Sequence, residues 1–341
     1  MKTKLTIAVS FLLLSLVFFL GCSKKEAVDT PEEPVEEEEV VVEEEPKFFY
    51  PLTGMETDEE PKHRAVAVTI NNHPQARPQS GLNKADIVYE VLAEGGVTRL
   101  LAIYQSEMPE TFGPVRSARD YYVHLAAGLD AIYIHHGWSP GAQELILKQG
   151  IVDSLNGLYY DGTLFNRASF RKAPHNSYIT YENVVKGAND NNFSLEGAPA
   201  SFRFLTEDEE VTGTDVTGIS IDYSTNSFLV RYEYDASLGR YYRYSGGEKM
   251  TDYESQEAIL IDNILVVETN HRTIDDAGRL EVDITSGGKA YLLQNGKLQE
   301  VEWKNIDGRI APYANGSELP LVPGKTWINF VPSLTQVSQD I

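Results

Sequence analysis

A single cysteine, Cys22, stands among 341 residues, so no intramolecular disulfide can staple this chain. Paired-cysteine and H-E-x-x-H patterns are both missing. The sequence therefore offers no metal site, and it calls for no cofactor. Positive charge is scarce too. Against 51 Asp and Glu there are 29 Lys and Arg, a net charge of −22 at pH 7. Phosphate neutralisation needs Lys and Arg, so nucleic acid is not expected as a partner. The apolar run from Leu5 to Leu20 is broken only by Thr6 and Ser15. It is too short for a confident membrane-spanning helix.

What is there begins with that run. Lys2 and Lys4 precede it and Gly21-Cys22 closes it, the layout of a secretory signal. Phe19-Leu20-Gly21-Cys22 resembles a bacterial lipobox, with Phe19 where Leu is usual. The resemblance implies removal of residues 1–21 and a lipid on the Cys22 thiol. Residues 23–47 hold three Lys and eleven acids, a net charge of −8, with prolines and no aromatic residue. Such a stretch buries too little surface to offset its ordering entropy, and like charges extend it. Residues 22–47 are therefore expected to be a disordered acidic tether. Residues 48–341 keep a net charge of −16.

Two textures divide this body, giving an expected N-terminal domain over 48–200 and a C-terminal domain over 201–341. The fold class expected is α+β, a mixed α/β domain followed by a mostly antiparallel β domain. RAVAVTIN (64–71) alternates like a strand, and 85–105 reads as two strands across Glu94-Gly95-Gly96, a hairpin signal. Residues 117–129 read as a helix with Ser117 as cap and Asp120 three residues on. A short strand follows over 130–136, and helices start after Ser139 and Thr180. After residue 215, strand-like runs rich in Tyr and β-branched residues alternate with Gly and Asn-Gly turns, as antiparallel sheets do.

Six of the seven histidines, and most arginines with chemical promise, lie between residues 63 and 175. Two arginines, Arg116 and Arg119, flank Ser117 in GPVRSARD. Cations oppose a helix dipole at its N-terminus, so their placement there suggests an anion site, with Arg99 of the hairpin completing it. The competing reading is that each arginine pairs with an internal acid. GWSPG (137–141) matches the nucleophile-elbow pattern, but Pro140 has no N–H for an oxyanion hole, and Ser139 as a helix cap explains the stretch. Adjacent His135 and His136 on a strand must point to opposite faces. His175, beside Asn176, sits in a loop behind a proline, where a rigid scaffold can present it.

The run NNHPQARPQSGLNKADIVYEVLAEGGVTRLLAIYQ, followed by GPVRSARDYY and, near the end, PGKTWINFVP, resembles the YerB-like lipoproteins of Gram-positive bacteria. The resemblance covers residues 61 to the C-terminus and implies a membrane-anchored, extracytoplasmic lipoprotein with a two-domain body. It brings no reaction. His73, Arg77, Arg99, Arg116, Ser117, Arg119, His175 and Asn176 are the candidate ligand-binding residues, chosen on chemical grounds. The expected partners are the membrane, through the lipid, and an anionic wall polymer or an envelope protein. The alternative is a hydrolase or transferase acting on a phosphate- or carboxylate-bearing wall polymer with His135 or His175 as acid or base. No convincing nucleophile appears, so binding is the expected function.

Overall fold

In RAVAVTIN the odd and even side chains part to opposite faces. Val66, Val68 and Ile70 enter one buried cluster, Ala65 and Ala67 another. That strand is therefore covered on both sides, and the computed structural model, which describes residues 47–340, shows why. Strand β1 (Val66–Asn71) lies within a twelve-stranded sheet. Beside it run the expected hairpin strands β2 (Ile87–Leu92) and β3 (Thr98–Tyr104), with Leu92 opposite Thr98. On its other side lie β4 (Ile132–His135) and β5 (Ser154–Asn156), both parallel to it in sense.

Helices α1 (Asp120–Gly128) and α2 (Pro140–Leu147) place Tyr122, Leu125 and Ala142 in the cluster on one face. On the opposite face lie Val184 and Ala188 of α4 (Tyr181–Asp190), which follows the single-turn α3 (Gly157–Tyr160). With them packs a six-stranded sheet that includes β8 (Gly218–Asp222), β9 (Leu229–Asp235) and β10 (Arg240–Ser245). A third, small sheet pairs β6 (Phe165–Arg167) with β7 (Ser177–Thr180) and residues 111–112. Ser139 and Thr180 cap α2 and α4 as expected, accepting from Ala142 N and Asn183 N at 3.2 Å each.

The chain is mostly β with few helices, and its second part is largely antiparallel. The Asn295-Gly296 pair, with φ of 48° and 71°, makes the tight turn between β12 (Gly288–Gln294) and β13 (Lys297–Ile306), the mirror-image turn that suits strand twist. One strand departs from the antiparallel pattern. Strand β15 (Thr326–Val331) runs parallel both to β11 (Asn263–Glu268) and to β2, with Trp327 opposite Val88. The large sheet thus passes unbroken across the position of the expected domain boundary, and the described residues 47–340 form one compact unit. Gly128 of α1 meets Gly308 so closely that a Cβ would lie 2.4 Å from the Gly308 Cα. Only two glycines permit that approach.

A buried ion pair closes the same seam. Glu90 of β2 meets Arg243 of β10, both with fully buried side chains. Glu90 also accepts from Trp327 Nε1 at 3.0 Å, Thr98 Oγ1 at 2.8 Å and Asn72 Nδ2 at 3.3 Å. The Arg243 guanidinium stacks 4.3 Å over the Trp327 ring. Removing one partner, as in Arg243→Met, strands a charge and is expected to cost about 3–5 kcal/mol. The double replacement Glu90→Leu with Arg243→Met should cost less than either single change. Chemical denaturation followed by tryptophan fluorescence and by far-UV circular dichroism checks this. A single coincident transition in wild type tests whether the two parts unfold together.

Candidate functional site

The parallel strands β1, β4 and β5 end on one side of the large sheet, the side on which α/β proteins tend to hold ligands. Residues 115–118 run across these ends as an extended segment. Arg116 N donates to Thr69 O at 2.8 Å and His136 N to Arg116 O at 2.9 Å. Ala118 N reaches Gly137 O at 2.9 Å. These bonds decide where the next helix starts. The expected Ser117 cap does not form: helix α1 begins at Asp120, and Arg119 is its cap residue with no side-chain cap bond. Ser117 Oγ donates to His136 O instead, at 3.0 Å. Long-range backbone bonding has overridden the local capping signal. The preceding Gly113-Pro114 is buried, and its carbonyls accept from Ser80 N and Asn71 N at 2.8 Å each.

The three arginines meet different fates. Arg119 Nε donates to Glu94 Oε1 at 2.7 Å, and Arg99 Nη2 reaches Glu94 Oε2 at 3.3 Å. Glu94, on the hairpin turn, is the internal acid that the competing reading called for. Burial pushes its carboxyl up, but Arg99 and Arg119 outweigh that and hold it below the usual range. Arg99 and Arg119 also donate to the Ser117 and Ala118 carbonyls. Arg116 has no hydrogen-bond or ion-pair partner for its guanidinium among the described residues. It is half-buried, and burial, together with Arg99 and Arg119, lowers its pKa to about 10. One carboxylate therefore serves two guanidiniums and leaves the third unpaired.

Around Arg116 stand three histidines whose protons are fixed by their neighbours. His73 N donates to Asn71 Oδ1 at 3.0 Å, which orients that amide. Asn71 Nδ2 then donates to His175 Nδ1 at 2.8 Å. Gln75 N donates to His73 Nδ1 at 3.2 Å. Both imidazoles thus use Nδ1 as acceptor, and in their neutral form both carry the proton on Nε2. They stack with centroids 4.6 Å apart. Burial and the cations Arg77 and Arg116 lower the pKa of His73. Burial, His73, Arg116 and Arg171 do the same for His175.

His136 is set the other way. Arg167 Nη2, which can only donate, lies 2.9 Å from its Nε2, so the proton sits on Nδ1 and is donated to Ser177 Oγ at 2.8 Å. The Ser177–His136 pair therefore has the wrong tautomer for a base that activates a nucleophile. Arg167 stands where such a site needs an acid, and Arg167 is itself held by Asp161. Burial first, then Arg167, lowers the His136 pKa.

The remaining candidates fall outside this cluster. His135 is wholly buried, donates from Nδ1 to Gly137 O at 2.8 Å, and leaves Nε2 without a partner. Burial drives its pKa to about 4. Arg77 spends its donors on Asn72 O, Asn72 Oδ1 and Ser227 O, at 2.8–3.2 Å. Asn176 Oδ1 accepts from Arg167 at 3.3 Å. Glu94, Asn71, His136 and Arg167 were missed by sequence reasoning. The Glu94-Gly95-Gly96 turn was seen as a hairpin signal, but nothing local aims its carboxylate at Arg119. Among the described residues no cluster of three His, Cys, Asp or Glu could hold a metal. Cys22 and the tether up to residue 46 lie outside the described residues.

Glu94→Gln should leave the buried Arg99 and Arg119 guanidiniums without a counter-charge. A loss of about 2–3 kcal/mol is expected at pH 7, the worth of hydrogen bonds to a charged group. Because the folded carboxyl is held low, its contribution is present above the unfolded value of 4.5 and disappears as pH falls through the folded one. Wild type and variant should therefore converge in stability in acid, which melts between pH 3 and 7 would show.

Residues 52–194 match the family model described as the protein of unknown function (DUF3048) N-terminal domain, and residues 219–328 match its C-terminal domain. The chain is 47% identical over 331 residues to "Putative lipoprotein YerB" of Bacillus subtilis (strain 168), covering 95% of each chain. The crystal structure of YerB protein from Bacillus subtilis superposes with a TM-score of 0.81 at 48% identity, over 86% of this chain and 99% of that one. With both domain models matched in order and a relative aligned along nearly its whole length, the chain belongs to the DUF3048 family of YerB-like lipoproteins.

Proposed function

We propose that this protein is a membrane-anchored, extracytoplasmic lipoprotein whose body binds an anionic group at Arg116, His73 and His175. The observation that carries the reading is the unpartnered Arg116 guanidinium in a chain with 51 acids. Arg99 and Arg119 have a carboxylate, Arg243 has another, and Arg77 has carbonyls. A half-buried cation left beside two other cations is unfavourable in the free protein unless an anion compensates it. Two Nε2–H donors stand beside it, since both rings accept at Nδ1. Binding is preferred over hydrolysis because the one Ser–His contact in this cluster has the wrong tautomer, and because His135 is sealed from solvent.

Arg116→Gln tests the site. The folded state holds the Arg116 pKa down at about 10, so its charge is a destabilising term at all pH values below that and is relieved only above it. The variant should therefore melt at or above the wild-type temperature. Sulfate, whose charge is constant over the range, should stabilise wild type by about 2.7 kcal/mol at a hundredfold excess over Kd and the variant hardly at all. The histidines set the pH dependence. Their depressed pKa values mean that the unfolded chain gains protons first as pH falls below 6.5, so free-protein stability should decline from pH 7 to 5.5. A bound anion raises both pKa values, so the sulfate effect should be larger at pH 5.5 than at 7.5. Equal sulfate stabilisation of wild type and Arg116→Gln would reject the site.

The anchor follows from Cys22 and the name of the relative. Among the described residues no helix is long and apolar enough to cross a membrane. Cys22→Ser should stop incorporation of an alkyne fatty acid and move the protein out of the membrane fraction. Unchanged labelling in the serine variant would count against lipidation.

A further inference from the structure

Two exposed aromatic groups stand on elements that pack against residues of the cationic cluster. Helix α3 packs its backbone against His136, since a Cβ on Gly157 would lie 2.1 Å from His136 Nδ1. The next two residues, Leu158 and Tyr159, are 57% and 63% exposed. Tyr159 meets the Trp138 ring edge-on at 5.7 Å. Phe170, 52% exposed, lies parallel to Tyr253 with centroids 4.6 Å apart. Its neighbour Arg171 donates to Gln75 O at 2.8 Å, which ties this ring to the turn that presents His73.

Single exposed aromatics are ordinary on protein surfaces. These two belong to the stretch from α3 to His175, which also carries Arg167 and packs against His136 and the turn that presents His73. We infer that the ligand is a saccharide carrying one phosphate or carboxylate, with the anion at Arg116, His73 and His175 and sugar rings laid on Tyr159 and Phe170. The less polar face of a pyranose presents C–H bonds, which suit the negative face of an aromatic ring. A body of net charge −16 repels a densely charged polymer but tolerates one anion between neutral sugars. Neither flank offers two parallel rings with a gap between them, the clamp that a nucleobase would favour.

This inference rests on the anion site proposed above, so the test separates the two. Maltose 1-phosphate, inorganic phosphate, adenosine monophosphate and phosphatidylglycerol vesicles are titrated into the full chain by calorimetry. Wild type should bind maltose 1-phosphate about tenfold more tightly than inorganic phosphate. Tyr159→Ala or Phe170→Ala should erase that advantage and leave inorganic phosphate binding unchanged, with at most a small drop in melting temperature from the lost Trp138 or Tyr253 contact. Equal binding of maltose 1-phosphate and inorganic phosphate, indifferent to both variants, would overturn the saccharide and leave the anion site standing. If neither phosphate binds, the anion site falls and the saccharide with it. Tighter binding of adenosine monophosphate or of vesicles, with the same aromatic dependence, would replace the saccharide by that class.

Discussion

The Glu90–Arg243 pair is the contact on which the rest of the arrangement hangs. Two opposite charges buried with no exposure are tolerable only if every remaining lone pair and proton is used. Here Trp327, Thr98 and Asn72 complete the carboxylate, and Tyr232 and the Trp327 ring complete the guanidinium. Those residues come from β2, β3, β9, β10, β15 and the loop after β1. The pair therefore fixes the register of the parallel β15–β2 contact and seats the six-stranded sheet on the large one. It also reaches the candidate site by a short path. Asn72, which donates to Glu90, accepts from Arg77 and from Gln79, and the residue before it, Asn71, holds His175. The turn that presents His73 is thus braced from inside the core.

Seen from there, the arginines form a graded series. Arg243 has a fully buried carboxylate to itself. Arg99 and Arg119 divide one that is partly exposed. Arg77 has only carbonyl and amide oxygens, and its pKa drops to about 10 through burial and the charge of Arg243. Arg116 has nothing, and it sits where the field of Arg99 and Arg119 is least compensated. A protein with 51 acids could have supplied one more. The strained placement is the kind that persists where a ligand relieves it.

Local chemistry made much of this legible in advance. The alternation in 64–71, the apolar runs around Glu94-Gly95-Gly96, the Ser139 and Thr180 caps and the Asn295-Gly296 turn all act over a few residues, and all appear. Ser117 failed as a cap because its segment was recruited by the Thr69 and His136 backbone groups, far away in sequence. Strand β5, three residues long, carries too short a pattern to read. The parallel insertion of β15 beside β2 joins residues more than 230 apart, and no periodicity announces a partner. The same holds for Glu94 with Arg119 and for Glu90 with Arg243, where the sequence shows charges but not which of them will meet. For the site, the gathering of cations around Ser117 was readable from the sequence, whereas the sparing of Arg116 alone was not.

The histidine tautomers carry the last step. A general base needs a free lone pair aimed at a substrate proton, and its orienting neighbour must be an acceptor. Around His136 the neighbour is Arg167, a pure donor, so its lone pair is consumed and its proton is given to Ser177. Around His73 and His175 the neighbours are N–H donors on Nδ1, so each ring turns an N–H outward. Every fixed proton in the cluster is therefore either spent internally or offered as a donor, and none of the three rings offers a lone pair. A guanidinium and two outward N–H groups, held in place before any ligand arrives, match what an anion accepts. They match poorly what a reaction needs, because no group nearby is set to take a proton away. The geometry of proton placement, more than the count of charged residues, is what separates holding an anion from transforming one.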